Sequence, residues 1–268
     1  MKVSLSWLKR FVDFKYSASE LADKLTMQGF ESEVVVDFSV LDHIVVGEVK
    51  SAEKHPDADK LKVCTVTDGK DSYNVVCGAS NVDKGQKIVF AKVGAVLPGD
   101  FKIGKAKIRG VESFGMICSE RELGISEEHD GIMILEDSCK VGAPIDTILG
   151  EIYDAIDVEV TPDKAFALSH RGIAREVAAM SGAKLKIPIK ALKIKSKTKD
   201  IIKVKLDKKG GCKRYIAGTM KNLTVGPSPK WLADYLKSAG QKSINNLVDI
   251  SNFMLLEIGH PTHVFDLK

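Results

Sequence analysis

The sequence predicts an α+β chain of more than one domain, and three observations carry that prediction. Residues 44–124 hold many short β-branched runs broken by Gly and Pro, the pattern of a small closed barrel or sandwich. Helical periodicity with helix-end signals brackets that stretch at residues 17–29 and 169–182 and returns at 228–240. A lysine-rich stretch, residues 184–214, separates the second helix from the third; it holds thirteen Lys and Arg against Asp200 and Asp207. With 268 residues, 44% of them hydrophobic, the chain can bury more than one core.

Taken in order, "SASELADKLTMQGF" is the first clear helix. Ser17 with Glu20 three residues on makes a capping box, Leu21, Ala22 and Leu25 share a face, and Gly29 is a stop. Residues 1–35 are too short to form a core alone and need a partner elsewhere in the chain. "IVVGEVKSAEKH" and "KLKVCTVTDGKDSYNVVCGA" read as strands with a turn at "TDGKDS". "QKIVFAKVGAVLPGDFKIGKAKIRGVESFGMICS" continues them with frequent glycine. "LSHRGIAREVAAMSGAKL" returns to helix, capped by Ser169, with Ile173 and Val177 on one face and Gly182 ending it. In "SPKWLADYLKSAGQ", Ser228 and Pro229 start a helix whose apolar face is Trp231, Leu232, Tyr235 and Leu236. "NLVDISNFMLLEIGHP" reads as a buried segment ending at Gly259 and Pro261.

Composition narrows the function. The net charge of +4 hides a basic block on an otherwise acidic chain, which suggests a polyanion partner; a solvated lysine-rich linker explains the charge equally well. No apolar run approaches the ~20 residues of a membrane span, and "MKVSLSWLKRFVDF" is too charged for a secretory signal. Five widely spaced cysteines without a C-x-x-C pair are expected to be reduced and mostly buried, in a cytoplasmic protein without a metal site. His55, Asp57 and Asp59 in "HPDADKL" read as a turn in which Asp and Pro set the backbone, not as metal ligands. Within residues 84–109, seven Lys and Arg face Asp100 alone, and Lys105, Lys107 and Arg109 alternate so as to share one strand face. That stripe suits phosphates; strand-edge lysines that deter aggregation are the other explanation. Residues 112–151, with ten acids against Arg121 and Lys140, oppose strong RNA affinity.

The segment 44–124 carries His55-Pro56, Ala58-Asp59-Lys60-Leu61, Cys77-Gly78-Ala79, and Gly110, Ser113, Gly115, Met116, Cys118 and Ser119 in order. It resembles the tRNA-binding oligonucleotide-binding barrel of several tRNA synthetases and tRNA-handling proteins. The resemblance implies a five-stranded barrel and makes Lys60, Lys87, Lys102, Lys105, Lys107, Arg109, Ser113 and Ser119 the tRNA-binding candidates. The flanks "MKVSLSWLKRFVDF" and "VEVTPDKAFALSHRGIAREVAAMSG" resemble the β subunit of bacterial phenylalanine–tRNA ligase. Residues 211–268 resemble the start of that subunit's editing region. The implied architecture is a small α/β domain from residues 1–40 and 152–190, with the barrel at 41–151 inserted in it. A basic linker at 191–210 and a truncated α/β editing region at 211–268 follow.

This resemblance also implies site residues. In "GHPTHVFDLK", His263 matches the family's editing-site histidine, and Ser251 and Asn252 line the pocket. A second, hydrolytic pocket is needed because a phenylalanine pocket rejects tyrosine poorly, and a histidine there can hold the extra hydroxyl or position a water. Without the resemblance, His263 reads as a hydrogen-bonded core histidine. The sequence departs from the family pattern at three places. Thr161-Pro162-Asp163-Lys164-Ala165-Phe166 replaces T-P-N-R-x-D, Ile250-Ser251-Asn252-Phe253 replaces V-T-N-Y, and His260 stands where Gln is usual. In the family the rest of the editing pocket lies further along the subunit, and the activating site is on the other subunit. The resemblance therefore implies weak tRNA(Phe) binding by this chain and hydrolysis of Tyr-tRNA(Phe) only in the complete subunit. The expected partners are tRNA(Phe) and the α subunit of a heterotetramer, with no DNA and no membrane. ATP and Mg belong to the holoenzyme, and no cofactor is expected in this chain. A stand-alone tRNA-binding protein without catalysis is the alternative, and a basic RNA chaperone using residues 184–214 a further one.

Overall fold

A computed structural model of the chain describes residues 1–38, 41–126, 131–188, 202–207 and 209–267. Most of the lysine-rich linker expected at 191–210 lies outside the described residues.

The first element is a short strand, β1 (Lys2–Ser4), followed by a single turn of helix, α1 (Leu5–Leu8), and by α2 (Ala18–Met27) and β2 (Ser32–Val36). A larger β unit follows: β3 (Ile44–His55), β4 (Ala58–Thr67), β5 (Ser72–Cys77), β6 (Lys87–Ala91), β7 (Val96–Leu97), β8 (Phe101–Lys102), β9 (Lys105–Ile108), β10 (Val111–Phe114) and β11 (Met116–Ile117). After it come α3 (Glu151–Tyr153), β12 (Ala155–Val158), α4 (His170–Ser181), α5 (Lys230–Ser238) and α6 (Asn246–Ile258).

β12 lies between β1 and β2 in a three-stranded antiparallel sheet, so strands on either side of the β unit pair with one another. This is the partner that residues 1–35 lacked. Val3, Leu8, Phe11, Leu21 and Leu25 are buried in one core with Ile156, Val158, Ile173 and Val177. Leu232, Leu236 and Phe253 join the same core, so α5 and α6 pack on this small sheet. The sequence offered no sign of that docking.

The β unit is a five-stranded antiparallel sheet in the order β11-β6-β3-β4-β5. No ladder closes it between β11 and β5. Side chains bridge from β10 to the β5 edge instead: Asn74 Nδ2 donates to the Glu112 carbonyl at 2.8 Å, and Ser113 Oγ accepts from Val76 N–H at 3.0 Å. Gly47 explains how the strands pack so closely. A Cβ there would lie 2.8–2.9 Å from Ile88, Phe90 and Val66. Cys64, Cys77 and Cys118 are buried, Cys139 is half-buried and Cys212 is exposed; burial pushes the thiols of Cys64 and Cys118 up, Cys64 to about 11, so both behave as apolar fillers.

The helix ends follow local rules. Ser17 and Glu20 exchange both bonds of the capping box, and Ser169 Oγ accepts from Gly172 N–H. Gly29, Gly182 and Gly259 stop their helices at positive φ, where a side chain would be strained. Two expectations need correction. Ser228 does not cap α5; its hydroxyl donates to the buried Asp249, which also takes bonds from Ser243 Oγ and Ile244 N–H. Residues 246–258 are not a wholly buried segment but an amphipathic helix. Asp249, Phe253 and Glu257 face inward at a spacing of four, while Ile250 and Leu255 are exposed. The described residues of 211–267 hold helices and no strand, so the α/β character expected there is absent among them.

Candidate nucleic-acid interface

The charged hairpin β9–β10 is built by its turn. Ile108 pairs with Val111, leaving Arg109 and Gly110 as a two-residue turn with φ of +47° and +88°. Two positive φ values match the right-handed twist of the strands, which is why Asn-Gly is favoured there. Arg109 is therefore a turn residue, not the third member of a strand stripe. Lys105 and Lys107 do share a face, opposite Phe114 and Glu112. Lys105 pairs with Glu112 at 3.1 Å and sits 4.7 Å over the Phe114 ring; Lys107 and Arg109 are exposed.

The hairpin is pinned at its tip. His55, at the end of β3, is 4% exposed. Its Nδ1 accepts from Asp57 N–H at 3.1 Å, which leaves Nε2 as the N–H that donates to the Ile108 carbonyl at 3.2 Å. The β3–β4 tip and the β9–β10 turn are thus held side by side. Between Lys54↔Lys62 and His55↔Ala58 the register shifts, so Asp59, Lys60 and Leu61 bulge from the ladder, and Lys60 is exposed. The "HPDADKL" turn was legible in the sequence; the use of its histidine as a pin was not.

The other candidates fall apart from this cluster. Lys87 Nζ donates to the carbonyls of Asp137 and Cys139, both at 2.5 Å, and serves as an internal brace. Ser113 is buried and also donates to the Gly115 carbonyl at 3.3 Å. Ser119 is buried against Glu122, to which its hydroxyl and its backbone N–H both donate. Lys102 is exposed on β8, opposite Val96. Lys92 is bound to Asp68. Burial alone would raise the Asp68 carboxyl, but the Lys92 ammonium and the Lys70 and Asp71 N–H groups outweigh it and hold it well below the usual carboxylate range.

A second site lies along α6. Ser251, Asn252 and Leu255 form one wall of an open groove of about 310 Å³, and Pro261, Thr262 and His263 form the other. Ser251 Oγ donates to the Thr262 carbonyl at 2.6 Å. His263 is exposed, its ring 6.3 Å from that of Phe265, so it is not a core histidine. Among the described lining residues there is no carboxylate.

What fixes that wall is a knot of long-range contacts around Trp7. Its ring stacks on His170 at 4.0 Å and on Phe253 at 4.7 Å, and its Nε1 donates to Glu257 at 2.7 Å. Arg10 pairs with the other oxygen of Glu257 at 3.3 Å. His170 accepts from Ser4 N–H through Nε2 and donates through Nδ1 to the Leu256 carbonyl. Burial lowers its pKa to about 4, so this ring is a neutral tie between β1, α4 and α6.

Both regions resemble parts of known proteins. Residues 44–144 match the family described as "Putative tRNA binding domain", and residues 211–268 match the "B3/4 domain". The whole chain is 48% identical over 271 residues to the phenylalanine–tRNA ligase beta subunit of Syntrophotalea carbinolica, covering 34% of it. It is 47% identical over 272 residues to that of Desulfotalea psychrophila, covering 33%. End to end, this chain is similar to the N-terminal part of the phenylalanine–tRNA ligase β subunit. It spans about a third of the length of the β subunits it matches. Among solved structures, a MetRS related protein from Pyrococcus horikoshii is 23% identical with a TM-score of 0.30, covering 49% of this chain and 97% of that one. No helix among the described residues is long and apolar enough to cross a membrane.

Proposed function

We propose that this chain acts as the tRNA-contacting N-terminal part of a phenylalanine–tRNA ligase β subunit. The observation that carries the reading is similarity at 42–48% identity along essentially the whole chain to β subunits of many bacteria, across both matched domains. In this reading residues 1–40 and 152–190 form one small domain, and 41–151 form the inserted tRNA-binding β unit. Residues 191–210 link them to 211–268, the start of the editing domain. One buried core joins both halves of the small domain and takes in Leu232, Leu236 and Phe253; a second runs from Val36 and Phe38 through the β unit to Tyr153, and the third lies within residues 41–151.

Lys60, Lys102, Lys105, Lys107 and Arg109 supply the tRNA contacts. Lys87, Ser113 and Ser119 act indirectly, by bracing the sheet that presents them. In the complete subunit the α6 groove is one half of a pocket that hydrolyses Tyr-tRNA(Phe). His263 reads the tyrosine hydroxyl or positions a water. Ser251 has its proton engaged with Thr262, so its oxygen lone pairs and the Asn252 amide are what remain to orient the ester. The α subunit is the partner in the holoenzyme, where ATP and Mg²⁺ serve amino-acid activation. The described residues include no group of three or more His, Cys, Asp or Glu able to hold a metal ion.

The test has two arms. Purified chain should bind a tRNA(Phe) transcript with modest affinity and leave Tyr-tRNA(Phe) intact. The same sequence within a full-length β subunit, assembled with its α subunit, should hydrolyse Tyr-tRNA(Phe), and His263→Ala should abolish that hydrolysis while aminoacylation continues. Hydrolysis unaffected by His263→Ala would remove the editing role.

A further inference from the structure

We infer that the β3–β4 and β9–β10 tips form one clamp for the phosphate backbone of double-helical RNA, gripped by Lys54, Lys60, Lys107 and Arg109. This rests on the tRNA-binding reading above and narrows it to a place and a shape.

Four observations carry it. First, the two tips are joined. The buried His55 ring bonds to Asp57 N–H on its own turn and to the Ile108 carbonyl of the other. Lys54 precedes His55 on β3, and Arg109 follows Ile108 in the β9–β10 turn. Second, the four cations are exposed, and none of them makes an ion pair among the described residues. Lys105, Lys50 and Lys92, by contrast, are engaged with Glu112, Glu48 and Asp68. Residues 53–60 and 105–112 hold five cations, Lys105 included, against Glu53, Asp57, Asp59 and Glu112, and Glu112 is engaged with Lys105. Third, Arg109 occupies a backbone position that disfavours it. At φ +47°, as first residue of a two-residue turn, Asn or Gly would be easier, so the guanidinium is held at the apex against local preference. Lys60 is likewise thrown outward by the bulge.

Fourth, residues 53–60 and 105–112 contain no Phe, Tyr or Trp, the His55 ring is buried, and Phe114 nearby is roofed by Lys105. Proteins that seize single strands stack bases on aromatic rings. A pinned pair of cationic tips with no exposed aromatic ring fits the regular backbone of an A-form helix, which is recognised by shape and phosphate contacts.

The backbone strain supplies a clean test. Arg109→Gly removes the charge and relieves the turn, so the variant should melt at or above the temperature of the unsubstituted chain. With fluorescence anisotropy of a labelled tRNA transcript, it should nonetheless bind more weakly, and the slope of log affinity against log salt should fall by about 1. Combining Lys54→Ala, Lys60→Ala and Lys107→Ala with Arg109→Gly should flatten the slope by about 3 to 4. Lys50→Ala, outside the two tips and paired with Glu48, should change it least. An unlabelled RNA duplex should compete with tRNA, and a single-stranded RNA of equal length should compete poorly. Better competition by the single strand would overturn the inference. So would unchanged affinity and slope in the fourfold variant, which would leave tRNA binding to other surfaces such as the lysine-rich stretch. Absence of tRNA binding by the unsubstituted chain would remove the underlying reading as well.

Discussion

Residues 44–117 and residues 211–267 show two outcomes of similar sequence patterns. Both contain alternating or β-branched runs. In the first region every run finds a ladder, and Val46, Val66, Val75, Ile88 and Phe90 are fully buried. In the second, residues 211–225 form no strand, and Ile216 is 76%, Met220 75% and Val225 63% exposed. A strand exists only with a neighbour to take its N–H and C=O groups. What organises the second region is its helices, and these are held by side chains on and beside α1 and α4 rather than by one another alone. Trp7, Arg10 and His170 tie α6 down, while Lys237 reaches Glu120 of the β unit at 2.7 Å.

The sharpest way to break this contrast is to cut each region's main anchor. Phe90→Ala should destabilise the β unit by about 3–5 kcal/mol, the cost of a buried aromatic plus its cavity. Trp7→Ala should cost a similar amount. It should also expose Glu257 and loosen α5 and α6, seen as faster amide exchange in residues 230–258 with protection of β3–β6 retained. If both regions lose protection together, the two-region picture fails. Trp7→Phe keeps most of the stacking but removes the bond to Glu257, and about 1–3 kcal/mol should go, measured by urea denaturation.

The next effect is pH-dependent. His170 has its folded pKa lowered from 6.5 to about 4, so between those values the unfolded chain binds a proton that the folded chain does not. Its contribution is complete above pH 6.5 and is lost as pH falls towards 4, by up to about 3 kcal/mol. Asp154 acts oppositely. Burial raises it from 3.8 to about 6, so the folded form binds the extra proton and stability from this group rises as pH falls through that window. The two partly cancel in a melting curve, and NMR titration of the His170 ring is the decisive measurement. A midpoint near 6.5 would mean the ring is not sealed between β1, α4 and α6.

Smaller effects sharpen the comparison. Lys237→Ala removes a partly exposed ion pair and should cost under about 1 kcal/mol. Ile216→Ser, in the unpaired stretch, should shift stability by no more than about 0.5 kcal/mol. A large loss there would show that residues 211–225 pack against something in solution.

The sequence by itself determined the limits of α2 and α4, the strand-rich character of residues 44–117 and the need of residues 1–35 for a partner elsewhere in the chain. Caps, stops and alternation are local: Ser17 answers to Glu20, Ser169 to Gly172, and the glycines to their own φ. The resemblance likewise rested on short ordered motifs. Only the tertiary structure decided which polar residues are spent internally. Lys87, Ser113 and Ser119 brace the sheet, Ser228 serves Asp249, and Arg109 leaves the strand to turn the hairpin. His55 and Trp7 reach partners 53 and 250 residues away. A hydrogen bond is made by whichever groups the fold brings within about 3 Å, and spacing along the chain carries no information about partners that far apart.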